Sequence, residues 1–471
     1  MGKRRIAARL RACRIKKKGK RLSREPKVEG VASLLKGKRL YIAVFLFFNL
    51  FINYMDRTSV SIAAPVMAKE FHWNSGTVGV VLSSLMWTYA LCLIPWGWMS
   101  DRIGTRKVNG LSVSLWSISA MLMGAAVGLG SMIAAMLLLG VGEAASLPTA
   151  GKVVRQWFPA RERGLATAIF NAGTFAGPAL SAPIVAWIVV RFGWRISFVV
   201  AGMIGLVWVF LWLTLFHPPA ECTWLPSQER DYILAETDTS APATPAGNHV
   251  PKLLRRQTMW GLLLTQGCCA YSNVLFLAWL PSYLVQSRHM HLMKAGWFTS
   301  IPYLIAAVLG ILIGKLSDTL LTREAVKQGK RRTLLVFFIL LSSCVFLVNL
   351  VTSEYVVLVL IAISLVCISS ALTLNIAMTN DLVWQPNMVG TALGILITGG
   401  ITFGMLAPMV TGFIVKTTGS FDNAFYVAGG LLVLGAVISL TMTRHPINFD
   451  ATVEDTLVQA NAASSMPDRT T

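Results

Sequence analysis

Three ionisable residues lie well inside long apolar runs in the first half of the chain, namely Asp56, Arg57 and Glu143. An ionised side chain at the centre of a bilayer costs about 2.5–3.5 kcal/mol on insertion scales, so one that is kept there usually faces a partner or a wet cavity. The guanidinium of Arg57 can hold a carboxylate through two parallel hydrogen bonds, which makes it the candidate anchor for an anionic substrate. Asp56 and Glu143 are the candidate carriers of a coupling proton, because burial favours the neutral form of a carboxyl group.

The first apolar run places these groups on a polar stripe. Asn49, Asn53 and Asp56 stand at i, i+4 and i+7 and therefore share one helix face, with Arg57 beside them. Neutralising an acid next to Arg57 removes its repulsion toward an incoming anion, which gives proton symport a simple electrostatic basis. The alternative is that Asp56 and Arg57 only neutralise each other as a structural pair. A functional role is favoured because such pairs are costly in lipid.

Uncharged polar side chains in the other apolar runs are further candidates for substrate binding. Their hydroxyls and amides can bond a carboxylate or the hydroxyls of a sugar acid, and the set is Tyr89, Asn171, Thr174, Gln266, Asn273 and Asn375. The alternative for each is structural, because the same groups also hold membrane helices together. Asn273 is the favoured member, since the seventh run pairs with the first in a two-repeat layout.

The composition indicates which elements must position these residues. The chain has 471 residues, of which 55% are apolar and only 13% charged, whereas ordinary soluble domains have about 25% charged residues. Apolar runs recur from Tyr41 to Met442, and about 20 apolar residues suffice to cross a bilayer as a helix. The runs lack the period-two alternation of a membrane β-barrel. The predicted fold is therefore an all-α polytopic membrane protein.

Clusters of glycine, proline and charge divide the apolar sequence into twelve predicted transmembrane helices in two six-helix bundles. The predicted spans are 41–66, 76–100, 108–128, 131–155, 164–190, 195–216, 258–284, 297–317, 333–352, 355–380, 388–415 and 423–443. The predicted domains are a basic N-terminal tail (1–40), a first bundle (41–216), a central loop (217–257), a second bundle (258–443) and a C-terminal tail (444–471).

The positions of the basic residues predict the orientation. Of the 42 Lys and Arg residues, 35 fall on the side of both termini and the central loop, and six fall on the opposite side. Excess Lys and Arg marks the cytoplasmic side, so both termini are expected to be cytoplasmic. The segment from Lys3 to Arg39 holds 16 of these residues directly before the first crossing. Attraction to anionic membrane lipid explains that position better than nucleic-acid binding does.

No motif in the sequence indicates a catalytic site. Its seven cysteines form no C-x-x-C pair, its six histidines form no H-E-x-x-H, and no phosphate-binding G-x-x-x-x-G-K-S/T is present. We expect a protein that is not an enzyme, with no metal, no cofactor and no nucleic-acid partner.

One motif occurs in both halves. Gly97-Trp98-Met99-Ser100-Asp101 ends the second run and Gly314-Lys315-Leu316-Ser317-Asp318 ends the eighth, 217 residues later. Such correspondence is typical of transporters built from two six-helix repeats, in which the site lies near the midplane and the two bundles rock around it.

Several motifs carry a family resemblance. Gly97-x-x-x-Asp101-Arg102-x-Gly104-x-Arg106-Lys107 resembles the signature between the second and third helices of the major facilitator superfamily. Other segments are similar to its anion:cation symporter branch, which includes sugar-acid and phthalate-type permeases: Asn53-Tyr54-Met55-Asp56-Arg57-Thr58-Ser59, Gly140-Val141-Gly142-Glu143-Ala144 with Pro148, and Gln156-Trp157-Phe158-Pro159-Ala160-Arg161-Glu162-Arg163-Gly164. The resemblance extends from about Tyr41 to Arg444.

The resemblance implies the major facilitator fold and a monomeric transporter in a bacterial inner membrane. It implies import of a small organic anion, a sugar acid or another carboxylate, by symport with H⁺ and alternating access. An organic-anion exchanger and a sulfonate or aromatic-acid permease remain alternatives, and Arg57 argues against a drug exporter. Tyr89 would face the substrate. Asp101, Arg102 and Arg106 are the candidate gating latch, favoured by their fixed spacing after Gly97, and the alternative is that short cytoplasmic loops are basic in any case. Met136 stands where several sugar-acid members have Arg, which leaves the coupling through Glu143 and the charge of the substrate open.

Overall fold

The computed structural model describes residues 37–159, 162–237, 250–320 and 329–447. Most of the predicted basic tail, the middle of the central loop, Arg161 and the C-terminal tail from residue 448 lie outside these ranges. The side chains at positions 311, 314–320 and 386–387 also lie outside the description, and with them most of the second copy of the repeated motif.

The first half of the chain folds into a helical bundle, which we call the N-half. Its helices are α1 (Leu40–Glu70), α2 (Ser75–Ile103), α3 (Thr105–Gly124), α4 (Leu129–Glu143), α5 (Ser146–Trp157), α6 (Arg163–Phe192) and α7 (Trp194–Leu215). A 3₁₀ turn (Pro219–Glu221) and helix α8 (Ser227–Thr237) follow.

The second bundle, the C-half, is also helical. Its helices are α9 (Val250–Leu254), α10 (Gln257–Gln286), α11 (Leu292–Leu320), α12 (Lys330–Ser342), α13 (Glu354–Leu382), α14 (Pro386–Thr418) and α15 (Asp422–Met442), and a 3₁₀ segment (Ser343–Leu350) continues α12. We call the side where α1 begins and α15 ends the tail side, and the opposite side the far side.

Local chemistry sets the helix ends. Asn74 caps α2, because its side-chain oxygen accepts a hydrogen bond of 3.0 Å from the backbone N–H of Thr77. Gly104 and Gly193 join α2 to α3 and α6 to α7 with φ of 85° and 86°, a backbone region in which glycine has no steric penalty. Consecutive membrane helices therefore turn sharply at these two points.

Eleven of the twelve predicted membrane crossings are matched by long apolar helices. Within the described residues, eleven helical stretches are long and apolar enough to span a membrane. The remaining predicted crossing is α3, which is more polar and packs inside the N-half against α7 and α4. The predicted span 131–155 is divided, because α4 ends at Glu143 and α5 begins at Ser146. Glycines 140 and 142 precede this break and weaken the helix there.

Each half has its own apolar core. One cluster of buried side chains runs from Ile42 to Ile233, and a second is built mainly from residues between Leu253 and Ile447. Ala64, Val78 and Ala179 of the N-half join the second cluster. These three residues therefore lie where the halves meet.

The halves contact each other closely on the far side. Ser61 of α1 donates a hydrogen bond of 2.7 Å to the carbonyl oxygen of Ala278 in α10. A β-carbon at Gly79 in α2 would stand 2.5 Å from the carbonyl oxygen of Pro408 in α14, so the two backbones touch there. A β-carbon at Gly296 in α11 would stand 2.7 Å from Cβ of Ala186 in α6. The far side is closed by helix-to-helix packing.

The tail side differs. Glycines 390 and 394 of α14 and Gly151 of α5 have no atom within 4 Å of a β-carbon built on them. Among the described residues, these tail-side surfaces of the two halves do not pack against each other. The described packing between the halves therefore lies on the far side, and these tail-side positions take no part in it.

A buried arginine fastens α8 to the N-half. Arg39, only 3% exposed, donates hydrogen bonds of 2.8 and 3.0 Å to the two carboxylate oxygens of Glu162, which precedes α6. The same guanidinium donates at 3.1 Å to Glu229 in α8. The start of α1, the loop before α6 and α8 are thus held together on the tail side.

Candidate functional site

Arg57 and Glu143 form an ion pair in the interior of the N-half. Nε and one terminal nitrogen of Arg57 donate to Oε2 of Glu143 at 2.9 and 2.8 Å, and the two side chains are 10% and 0% exposed. Helix α1 carries the arginine, and the last residue of α4 is the glutamate. The alternative in which Arg57 and Asp56 pair with each other is wrong, because the hydrogen bonds of Arg57 go to Glu143. Met136, two turns before Glu143, is buried.

Two tyrosine rings enclose the guanidinium. The carbon at its centre lies 5.0 Å from the ring centroid of Tyr54 and 5.2 Å from that of Tyr89. Contacts of a cation with aromatic faces are attractive and restrict the orientation of the guanidinium. Tyr89 is brought to Arg57 as the sequence predicts. Tyr54 was absent from the predicted site, although it stands three residues before Arg57 and so shares its helix face.

Asp56 is buried beside this pair without a hydrogen-bonding partner. It is 1% exposed, and neither carboxylate oxygen has a donor among the described residues. Its stripe neighbour Asn49 donates to Oδ1 of Asn109 at 3.3 Å, so the stripe faces α3 and the interior of the N-half. A buried carboxylate without a donor is costly as an anion.

Two of the three predicted amides of the C-half contact each other. Asn375 of α13 donates to Oε1 of Gln266 at 2.9 Å and to the carbonyl oxygen of Leu262 at 3.0 Å, both in α10. Asn273, half-buried, stands seven residues after Gln266 and shares its helix face. Gln266 and Asn375 thus hold each other in place, while Asn273 has no such contact among the described residues.

The two predicted residues of α6 are not brought to Arg57. Gly173 and Gly177 form the face of α6 that packs on α1, since a β-carbon at Gly173 would stand 2.6 Å from the carbonyl oxygen of Phe47. Asn171 lies about 200° around the helix from Gly173 and is exposed. Thr174 is half-buried. A substrate could contact Asn171 only if it were bound away from the interface between α1 and α6.

Tyr303 of α11 is a candidate that the sequence did not single out. Its side chain is 3% exposed, and its hydroxyl has no hydrogen-bonding partner among the described residues. Ser300 stands three residues earlier on the same helix face, and its hydroxyl donates a hydrogen bond to the carbonyl oxygen of Ala179 in α6. Tyr303 therefore lies just inside the far-side contact. A tyrosine in an apolar helix is uncharged, so the sequence alone does not distinguish Tyr303 from a packing residue.

Each of the three predicted gating residues contacts another residue of the N-half. Asp101 accepts a hydrogen bond of 2.8 Å from Nζ of Lys152, Arg102 lies 3.9 Å from the ring centroid of Trp98, and Arg106 donates to the carbonyl of Leu213. Asp101 and Lys152 line a tail-side cavity of about 740 Å³. The cation facing Asp101 is thus a lysine of α5, and the latch role remains a prediction.

Two helical bundles that pack together on one side, with a buried ion pair inside the first of them, define a membrane transporter of the two-bundle type. The chain belongs to the Major Facilitator Superfamily, whose family model matches residues 46–327 and 325–460. It is a multi-pass integral membrane protein and not an enzyme. The resemblance carried by the motif between α2 and α3 is thereby confirmed.

Known relatives cover most of the chain. It is 32% identical to the probable galactarate/D-glucarate transporter GudP of Escherichia coli (strain K12), over 83% of this chain and 90% of that protein. It is 29% identical to the D-galactonate transporter of Escherichia coli O6:H1, over 84% of this chain and 94% of that protein. A bacterial homolog of the human lysosomal transporter Spinster has the same fold, with a TM-score of 0.68, 17% identity and coverage of 86% and 97% of the two chains.

Proposed function

We propose that this protein imports small organic anions, sugar acids or related carboxylates, by proton symport. The observation that carries the proposal is the buried Arg57–Glu143 pair, in which the protein's own carboxylate occupies the guanidinium. A substrate carboxylate offers the same chemistry as Glu143. The names of the relatives, transporters of galactarate, D-glucarate and D-galactonate, support an organic acid as the substrate.

The pair suggests how the proton and the anion are coupled. Protonation of Glu143 removes its charge and frees the nitrogens of Arg57, which then bind the incoming carboxylate. When the anion leaves and Glu143 loses its proton, the pair forms again. Asp56, buried next to Arg57 without a donor, is the second group that gains or loses charge in this cycle.

The direction of transport depends on which side of the protein faces the cytoplasm. We assign the tail side to the cytoplasm, because the 35 basic residues of that side follow the positive-inside pattern. The conformation described above is then closed on the outer side. The opposite conformation would separate Ser61 from Ala278 and bring the tail-side surfaces together, with the Asp101 cluster as the latch.

The test is uptake of labelled sugar acids into proteoliposomes with and without an inward proton gradient. We expect accumulation to require the gradient in the wild type. Glu143→Gln mimics the protonated acid, so exchange of acid across the membrane should persist while gradient-driven accumulation is lost. Glu70→Gln, a partly exposed far-side position, is the matched control and should accumulate acid normally.

Three results would contradict the proposal. Accumulation by Glu143→Gln at the wild-type level would remove Glu143 from the coupling. Exchange that ignores the gradient in the wild type would identify an organic-anion exchanger, and absence of uptake for every acid would exclude organic-anion transport.

A further inference from the structure

Arg57 is the single cationic side chain between the helix ends in the described residues. The other Lys and Arg residues of the described membrane helices lie within about two turns of an end, as Lys69, Arg191 and Lys416 do. Whatever negative charge a bound substrate carries deep in the membrane therefore has one guanidinium to balance it.

The acids around Arg57 set the charge that the site can accept. Glu143 contacts the guanidinium directly, and Asp56 is its neighbour in sequence. With both acids protonated, the three side chains together carry one positive charge. One carboxylate brings this group to neutrality, and a second carboxylate would leave it negative.

Among the side chains that the structure describes, the opposite bundle supplies no second cation between its helix ends. The buried polar groups of the C-half that the structure describes are neutral, and they include the Gln266–Asn375 pair and the hydroxyl of Tyr303, with the half-buried Asn273. Its ion pairs stand at helix ends: Arg331 with Asp381 on the tail side and Lys294 with Glu354 on the far side. The part of a substrate that extends from Arg57 toward the C-half meets amides and hydroxyls.

We infer that the transported anion is singly charged, with a neutral, hydroxyl-bearing remainder. Among sugar acids this means an aldonate-type monocarboxylate in preference to an aldarate-type dicarboxylate. The inference rests on the proposed function and adds the charge of the substrate to it. Hydroxyls can pair with the amides and phenol of the C-half, whereas a second carboxylate would sit in a low-dielectric interior without a counter-charge.

The experiment measures binding to the purified full-length transporter by ligand-dependent thermal stabilisation at pH 7. Three acids of the same six-carbon skeleton and stereochemistry are compared: the aldonate, the aldarate and the monoamide of the aldarate. The monoamide keeps the size of the aldarate and removes one charge, so it separates charge from shape.

We expect the aldonate and the monoamide to bind with similar affinity and the aldarate to bind about tenfold or more weakly, given the cost of an unpaired charge in the membrane. Acidification into the range where one aldarate carboxyl is protonated should narrow that difference. Equal or tighter binding of the aldarate at pH 7 would overturn the inference and leave organic-anion transport intact. Failure of every acid in a wider panel to bind would contradict the proposed function, and the inference with it.

Discussion

Arg57 is held by charge and by ring faces at once. Two of its nitrogens converge on one oxygen of Glu143, while the rings of Tyr54 and Tyr89 lie 5.0 and 5.2 Å from the centre of the guanidinium. A planar, delocalised cation suits both kinds of contact. An ammonium has the same charge but can satisfy neither the paired hydrogen bonds nor the stacked geometry. The residue type therefore matters here beyond its charge.

Arg57→Lys should consequently lower the affinity for the transported acid. A charge-assisted hydrogen bond contributes about 1.5–3 kcal/mol, so the loss of one predicts a fall of about tenfold or more. The measurement is the acid concentration that gives half-maximal uptake in proteoliposomes. Arg191→Lys, at an exposed far-side helix end, is the control and should behave as wild type. Wild-type affinity in Arg57→Lys, at normal membrane insertion, would make Arg57 a structural residue.

The sequence could predict the site only in part. Asp56, Arg57 and Glu143 are conspicuous because charge is costly in apolar runs. Their pairing was not predictable, since Glu143 stands 86 residues after Arg57 while Asp56 is adjacent. Tyr54 and Tyr303 were missed because a tyrosine in a membrane helix serves packing as readily as binding. For Gln266 and Asn375, only three-dimensional packing brings the two amides together.

At the level of the elements, hydropathy predicts helices more reliably than their interruptions. Eleven stretches carry a clear apolar signal, whereas α3 is recognised by its place between two turns at Gly104 and Ala125. Its polar side chains, including Asn109 and Ser119, bond inward to α1 and α4. The break between α4 and α5 escaped prediction, because Ala144 and Ala145 are good helix formers and glycines such as 140 and 142 are also frequent inside membrane helices.

Backbone contact between α2 and α14 makes Gly79 sensitive to a single methyl group. Its β-carbon would stand 2.5 Å from the carbonyl oxygen of Pro408 and 3.1 Å from Cα of Gly412. Overpacking costs about 1–3 kcal/mol, and here the cost falls on the conformation closed at the far side. Gly79→Ala should shift the population toward far-side opening by about tenfold or more.

A buried reporter can check that shift. Ala64 is 2% exposed and packs with the C-half cluster, so a cysteine placed there becomes accessible when the far side opens. In a background without other cysteines, Ala64→Cys should react faster with an impermeant maleimide when Gly79→Ala is present. Gly430→Ala, which has no atom within 4 Å of the added carbon, is the control. Identical labelling rates of Ala64→Cys alone, with Gly79→Ala and with Gly430→Ala would show that Gly79 does not contribute to far-side closure.

The whole molecule is organised by one repeat. The copies of the glycine-to-aspartate motif stand 217 residues apart, and Ser61 and Ala278, which touch across the halves, have the same separation. His72 and His289 share that separation too, and both have positive φ, 56° and 53°, just after α1 and α10. Equivalent corners therefore adopt the same unusual backbone, and the Ser61–Ala278 contact lies on the axis that relates the halves.

A link across that axis should stop transport without disturbing either half. In Ser61→Cys/Ala278→Cys, on a background without other cysteines, oxidation or a short thiol-specific cross-linker should hold the far side closed. Uptake into proteoliposomes should then fall to background and return on reduction, because two bundles fixed at their axis cannot expose the Arg57 site to both sides in turn. The single-cysteine proteins, treated identically, should keep their activity. Full activity in the quantitatively cross-linked double variant would show that transport does not require the far-side contact to open.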